Sequence, residues 1–317
     1  MHSGTAMITG AVDIGGTKIA VGAIDAAGRL LAREETPTAP GRGFDDAMER
    51  VAGMLGRFRQ QIEQPMRGVG IGCTGPVDPF RGTIGEVDFL PGWKDANPVA
   101  ALASRLQLEV AMENDADAAA LAEAAWGAGR GRKSLIGVTI GTGIGAGVLI
   151  NGAIYRGLDG AHPEIGHHVI DDTGPDCSCG ARGCWESLAS GPAIAARYAR
   201  AAKAAHSPRP ELSTQQICGL ARAGDALALE EVARAGRYLG IGIANLITLY
   251  VPELIVLSGS VMNSVDLFMP AIREVVRRQC GYVPADRVEL IPSSLRGDAP
   301  LIGAGVVWAH RFAGEPG

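Results

Sequence analysis

The chain has 317 residues, 47% of them hydrophobic, and a net charge of −5 with no block of like charge. That is enough apolar material for a large two-lobed body or two domains, each with its own core. It argues against nucleic acid as the main partner, because binding phosphate chains calls for a clustered basic surface, and the run Arg130-Gly-Arg132-Lys133 is short enough to read as a solvated turn.

The opening residues alternate apolar runs with glycine turns: Ala11 to Thr17, Ile19 to Ile24, then Arg29 to Glu34. This predicts three short strands in an antiparallel meander. Met48, Val51, Met54, Leu55, Phe58 and Ile62 recur at helical spacing and predict a helix over Phe44 to Ile62. Strands are expected at Gly68 to Cys73 and Leu108 to Met112, the latter ending at Glu113-Asn114-Asp115. An alanine-rich helix follows over Ala116 to Trp126.

A second strand–glycine–strand unit runs from Leu135 to Ile140, through Gly141-Thr142-Gly143-Ile-Gly145-Ala-Gly147, into Val148 to Ile150. It echoes the first and suggests an internally duplicated fold with a nucleotide between the halves. Helices are predicted at Ser190 to Ala205, Ser213 to Ala223, Asp225 to Tyr250, Val265 to Gln279 and Ala299 to Phe312. Strands are predicted at Glu253 to Leu257 and Val288 to Ile291. Without a Pro/Gly/Ser linker or a low-complexity tract, the lobes are expected to pack closely around a cleft.

No stretch reaches the roughly 18 apolar residues of a membrane helix, and the N-terminus lacks the pattern of a signal peptide. The expectation is a cytoplasmic protein without a membrane partner. Cys73, Cys218 and Cys280 stand alone, while Cys177, Cys179 and Cys184 crowd together. A secreted disulfide framework would spread its cysteines in pairs.

Four constellations carry chemistry. In Asp13-Ile-Gly15-Gly16-Thr17-Lys18, two glycines let backbone approach a phosphate without a Cβ clash. The N–H groups and the Thr17 hydroxyl can donate to phosphate oxygens, and Asp13 can hold Mg²⁺ through water. In Gly141 to Gly147, glycine recurs at every other position although it weakens strands, so close approach of a ligand is the expected reason. Asn114-Asp115 marks a strand-to-helix handover, where such residues cap helices. A carboxylate there also faces the crevice in which open α/β sheets bind ligands. Asp115 can then act as general base toward a hydroxyl that Asn114 orients.

The fourth constellation is His162-Pro-Glu164-Ile-Gly-His167-His168 followed by Cys177-Ser-Cys179-Gly180-Ala-Arg-Gly183-Cys184-Trp-Glu186. Three thiols and an upstream histidine suit a closed, structural Cys₃His zinc site. Spacing alone does not choose between His167 and His168.

Together these motifs resemble the ROK family of sugar kinases and repressors, within the actin/hexokinase-like superfamily. The resemblance covers nearly the whole chain, through Asp13-x-Gly-Gly-Thr-Lys, Gly72-x-Thr74-Gly75-Pro, Glu113-Asn-Asp115-Ala-x-Ala-Ala-Ala, Gly141-Thr-Gly-x-Gly-x-Gly, Glu164-x-Gly-His167, Cys177-x-Cys-Gly-x-x-Gly-Cys184-x-Glu186 and Pro252-Glu-x-Ile-Val-Leu. It implies a two-lobed α/β, ribonuclease H-like ATPase fold with an interlobe cleft. The expected lobes are residues 1–115 plus 299–317, and residues 116–298 with the zinc loop.

The resemblance further implies that Asp115 is the catalytic base and that Gly75, Asn114, Asp115, Glu164, His167 and Glu186 hold the sugar. Asp13, Gly15, Gly16, Thr17, Lys18, Gly141, Thr142, Gly143 and Gly259 would serve ATP and Mg²⁺. The zinc ligands would be His167, Cys177, Cys179 and Cys184. The expected reaction is ATP-dependent phosphorylation of a hexose, with glucose ahead of N-acetylmannosamine or N-acetylglucosamine. Polyphosphate as donor leaves no mark in the sequence, and a homodimer is expected. Repressor members carry an N-terminal helix-turn-helix, and the phosphate turn here begins at Asp13, so an enzyme is expected over a regulator. Three departures stand out. Asp117 replaces the usual asparagine of Asn-Asp-Ala-Asn, where a carboxylate suits the helix dipole. Ser258-Gly259-Ser260 replaces a glycine-rich adenosine turn. Phe89-Leu90-Pro91 stands where Asn-Leu-Pro is usual.

Overall fold

The computed structural model describes residues 7–206 and 210–312. In chain order the elements are β1 (Ile8–Ile14), β2 (Lys18–Asp25), β3 (Leu30–Pro37), α1 (Phe44–Gln61), β4 (Met66–Cys73), β5 (Val77–Asp78), β6 (Thr83–Ile84), α2 (Pro98–Leu106), β7 (Glu109–Asn114) and α3 (Asp115–Ala125). They continue with β8 (Leu135–Ile140), β9 (Ile144–Ile150), β10 (Ala153–Ile154), α4 (Trp185–Ala189), α5 (Gly191–Ala204), α6 (Thr214–Arg222), α7 (Ala226–Tyr250), β11 (Leu254–Ser258), α8 (Val265–Gln279), β12 (Glu289–Pro292) and α9 (Ala299–Phe312). Among the described residues no helix is long and apolar enough to cross a membrane.

The two five-stranded sheets repeat one plan. The first has the order β3-β2-β1-β4-β7 and the second β10-β9-β8-β11-β12. In each, the first three strands fold back on one another and the last two are added beyond the first of them. The duplication anticipated from the glycine turns is therefore present in the strand order.

The chain divides into two compact units. Of the described residues, one contains 7–133, 147–163 and 293–312, and the other holds the remainder. The sequence expectation placed the first boundary at Asp115 and the last at 299. The first unit instead keeps α3, because α3 packs on α9 and both cover one face of the first sheet. A Cβ on Gly303 of α9 would meet the Ala118 carbonyl oxygen at 1.9 Å, so this crossing depends on glycine.

In the first unit, strand alternation sends Val12, Ile14, Val21 and Ile71 into a core with Met48, Leu55 and Phe58 of α1 and Leu102 of α2. On the opposite face Ala11, Ala20 and Ile24 meet Ala122 of α3 and Leu301 and Ala304 of α9. Asp13 shares the face of Ala11, so it points toward the α3 side of the sheet. In the second unit, β11 lies parallel to β8 and β12, with Leu254 opposite Leu135 and Glu289. Its inner residues Ile136, Val138, Ile255 and Val256 are buried, as expected for a sheet covered on both faces.

Two helices escaped the sequence reading. α2 begins at Asn97-Pro98, and the Asn97 side chain accepts the Ala100 N–H at 2.7 Å, a cap-plus-proline start that was legible in principle. α4 has only five residues, too few to show periodicity.

Candidate functional site

In the first unit the functional candidates gather at the C-terminal ends of three parallel strands. Register aligns Ile14 with Cys73 and Cys73 with Asn114, one residue beyond the row Asp13, Gly72 and Glu113. The turn after β1 is closed by Gly15 N–H donating to the Lys18 carbonyl at 3.0 Å. Buried Thr38 clamps it from behind, its hydroxyl donating to Gly15 O at 2.6 Å and its N–H to Thr17 O at 3.0 Å. Gly15 and Gly16 are half-buried and Thr17 is exposed. Lys18 is paired with Glu35 at 2.6 Å on the surface.

Asn114 caps α3: its Oδ1 accepts the Ala116 N–H at 2.8 Å, while its Nδ2 donates to Gly75 O at 3.3 Å. Gly75 itself has φ +85°, a conformation that favours glycine. Asp115 follows as the first residue of the helix and is half-buried. Its charge is felt by Asp13, whose carboxyl is pushed up to about 7, first by burial and then by Asp115. The buried Cys73 thiol is likewise raised, by burial and then by Asp115 and Asp13. Asp13 and Asp115 thus form a carboxylate pair whose joint ionisation a cation would relieve, a donor set that fits Mg²⁺.

Two further acids flank Asn114-Asp115 and were not singled out as paired groups. Glu113 is buried and ion-paired to Arg156, yet burial still pushes its carboxyl up to about 7. Asp117 is buried against His162 at 2.8 Å. The helix dipole alone does not describe Asp117: its carboxylate is held by a ring from the segment before Glu164. Neither pair leaves a local signal, since the partners lie about 45 positions apart.

The second unit carries the other glycine turn, where Gly141 N–H donates to Gly143 O at 2.9 Å and Gly141 O accepts from Gly191 N at 2.8 Å. Thr142 lies exposed between them. Glu186 of α4 accepts the Ile144 N–H at 2.9 Å. A Cβ on Gly143 would meet the same carboxylate oxygen at 2.4 Å. Gly259, with φ +93°, lies so close to Ile140 O that a Cβ would sit 2.3 Å from it. Ser258 donates to Val138 O at 3.3 Å, and Ser260 lies near Gly141. One glycine of this run has a purely internal reason. Gly147, counted with the first unit, abuts α3, where a Cβ would meet Ala116 O at 2.5 Å, so ligand approach does not explain it.

His167, Cys177, Cys179 and Cys184 bring their ligand atoms within 4.8 Å of one another. Cys177 Sγ lies 3.4 Å from His167 Nδ1 and Cys179 Sγ 3.5 Å from Cys184 Sγ. A tetrahedral zinc with Zn–S of about 2.3 Å and Zn–N of about 2.0 Å has edges of about 3.5–3.8 Å, so the donor set fits the ion. All three thiols are free of disulfides. Burial, and then the neighbouring thiols, push Cys184 up to about 12, whereas the Ala181 backbone N–H lowers Cys179 to about 7. His168 points elsewhere: its Nδ1 meets Ile165 O at 2.5 Å and its Nε2 meets Asn245 at 3.2 Å. Of the two histidines, His167 is the one whose ring lies with the three thiols. Glu164 is exposed at the start of the short 3₁₀ turn Ile165–His167, its carbonyl accepting the His167 N–H at 3.0 Å.

The ROK family's sequence model matches residues 9–311. The chain belongs to the ROK family. It is 32% identical over 314 residues to a glucokinase of Thermotoga maritima, covering 96% of this chain and 98% of that one. It is 33% identical over 264 residues to the xylose repressor of Bacillus subtilis, covering 82% of this chain but only 66% of that one. Its fold matches the crystal structure of a ROK family glucokinase from Streptomyces griseus in complex with glucose and AMPPNP. The TM-score is 0.81 at 31% identity, over 94% of this chain and 98% of that one. The actin/hexokinase-like α/β fold is therefore that of this ROK chain.

Proposed function

We propose that this ROK protein is an ATP-dependent sugar kinase acting on a hexose, with glucose converted to glucose 6-phosphate. The observation that carries the reading is the Asp13–Asp115 carboxylate pair, at the C-terminal end of β1 and just beyond that of β7 with β4 between them, beside a glycine turn clamped by Thr38. The nearly full-length similarity to glucokinases supports it.

Asp115 is the general base: it takes the proton of the sugar 6-hydroxyl as that oxygen bonds to the γ-phosphorus and the bond to ADP breaks. Asn114 orients the hydroxyl, with its Oδ1 already committed to the helix cap and its Nδ2 to Gly75. Gly75, Glu164, His167 and Glu186 complete the sugar contacts. Gly15, Gly16, Thr17, Gly141, Thr142 and Gly143 offer donors to the phosphates, Lys18 contributes positive charge, and Gly259 sits at the nucleotide turn. Asp13 would hold Mg²⁺, which when bound neutralises charge on the transferring group. Zinc at His167, Cys177, Cys179 and Cys184 would be structural, stiffening the loop that presents His167 and Glu186.

An N-acetylmannosamine or N-acetylglucosamine kinase is the second reading, favoured by the exposed apolar ring of Phe89. A coupled ADP-release assay over glucose, mannose and their 2-acetamido forms, with ATP or polyphosphate as donor, tests both. Glucose loses its place if an acetamido sugar is preferred by more than about tenfold in kcat/KM. Failure of all four overturns the kinase reading.

A further inference from the structure

Phe89 is 48% exposed, although the segment around it is firmly anchored. Leu90 and Trp93, on either side of the Pro91-Gly92 turn, are buried in the core, and Trp93 meets the edge of Phe44 at 5.3 Å. The backbone closes on itself through Leu90 N–H to Val87 O at 3.2 Å and Trp93 N–H to Leu90 O at 3.1 Å. A single half-exposed phenylalanine is ordinary on a protein surface, so only its surroundings can give it a role.

Its position supplies one. The ring lies against the phosphate turn, where a Cβ on Gly16 would meet Phe89 Cδ2 at 2.9 Å. Two residues earlier, Val87 lies against Gly75, whose carbonyl takes the Asn114 amide. The Phe89 segment therefore touches both flanks of the Asp13–Asp115 pair within one compact unit. The other exposed phenylalanines are occupied: Arg156 and Arg311 lie over Phe80, and Phe312 packs on Trp308. Among the described residues no ring or cation stacks on Phe89.

We propose that Phe89 determines acceptor specificity. Resting on the kinase reading, the ring is a wall on which the sugar lays carbon-bound hydrogen at one ring position. An aromatic face cannot satisfy a hydroxyl turned toward it, whereas it packs well on apolar surface. The enzyme should therefore tolerate an acceptor that lacks the hydroxyl at that one position.

The test compares kcat/KM for the preferred hexose and its 2-, 3- and 4-deoxy analogues in wild type, Phe89→Asn and Phe89→Leu, with the KM for ATP measured in parallel. At one carbon, wild type and Phe89→Leu should lose less than about threefold on deoxygenation, and Phe89→Asn at least about tenfold, because the new amide is left unpaired. Phe89→Leu should raise the sugar KM about three- to tenfold with kcat retained, which keeps the test alive if Phe89→Asn does not fold. Ratios within about twofold of wild type at every carbon, or a change confined to ATP, overturn the assignment. A wild-type chain that binds these sugars in calorimetry without turnover defeats the kinase reading alone, and the same ratios of Kd then decide Phe89. Absence of binding to any of them overturns both.

Discussion

His162 Nδ1 lies 2.8 Å from Asp117 Oδ2, with the two side chains only 6% and 2% exposed. The other carboxylate oxygen, Oδ1, is buried and has no hydrogen-bond partner among the described residues. The pair fastens the segment before Glu164 to the first turn of α3, two residues beyond Asp115. Removing one partner of a buried hydrogen-bonded pair leaves the other unsatisfied, at a cost of about 1–3 kcal/mol. His162→Ala should destabilise the protein by that order in urea denaturation. Asp117→Asn keeps an acceptor for the ring and should cost no more than about 1 kcal/mol. Equal losses for the two variants would show that the pair is not what holds the segment.

Glu113 and Arg156 make the companion pair, and it carries a pH signature. Burial already pushes Glu113 up to about 7 against the pull of Arg156. Without the guanidinium its pKa must rise further, so the carboxyl is neutral at pH 5.5 and a buried charge is forced only at higher pH. Arg156→Met should therefore cost about 3–5 kcal/mol at pH 8 and distinctly less at pH 5.5. A loss independent of pH would assign the effect to the lost stacking of Arg156 on Phe80, whose ring centre is 5.5 Å away.

Asp115→Asn should abolish phosphoryl transfer while sugar binding persists. Loss of a general base costs about 10²–10⁴ in rate. The side chain starts α3 with its neighbours Asn114 and Ala116 hydrogen-bonded to each other, so the isosteric amide should leave the cap intact. Calorimetry for the sugar and single-turnover kinetics for the chemistry separate the two effects. A variant retaining more than about a tenth of kcat would place the base elsewhere.

Much of this arrangement was legible because local signals and tertiary demands agree. The α1 periodicity, the two glycine turns and the Asn114-Asp115 handover each need only a few neighbouring residues to be recognised. The thiol cluster was equally plain, since Cys177, Cys179 and Cys184 lie within one short loop. What stayed hidden depends on contacts between distant segments. The Glu113–Arg156 and Asp117–His162 pairs bring loop residues onto β7 and α3 across more than forty positions. Gly147 looked like a ligand-facing glycine because sequence records the missing Cβ and not the helix that fills its place. Spacing left His167 and His168 open and the family resemblance named His167, but the contact that occupies His168, Asn245 from 77 residues away, has no local signal.

The thiol cluster makes a direct prediction about metal. Protein purified without added zinc should contain one zinc per chain, and Cys184→Ser should lose it. Cys184 is fully buried with its sulfur 3.1 Å from His167 O, so its removal loosens the loop bearing His167. The sugar KM should rise, with kcat less affected. A metal-free wild type with full activity would break the link between ion and pocket.

Asp13 offers a test that joins pH, stability and Mg²⁺. Its carboxyl is pushed up to about 7 by burial and by Asp115, from an ordinary value of 3.8. Between those two values the folded protein binds more protons than the unfolded chain, so without cation its stability falls as pH rises through that window. Bound Mg²⁺ requires the ionised form and should reverse the trend, since metal and proton compete for the same oxygen. The rise in Tm on adding Mg²⁺ should thus be larger at pH 8 than at pH 5. The acid limb of kcat/KM for ATP should fall near pH 7 and move to lower pH as Mg²⁺ is raised. Glu113 titrates in the same range, but it is held by Arg156 and is unaffected by substitution at position 13. Asp13→Asn isolates the Asp13 share: it should flatten the Mg²⁺ dependence of Tm and remove the movable acid limb. An equal Mg²⁺ effect on Tm at both pH values in wild type would show that the ion does not bind through Asp13.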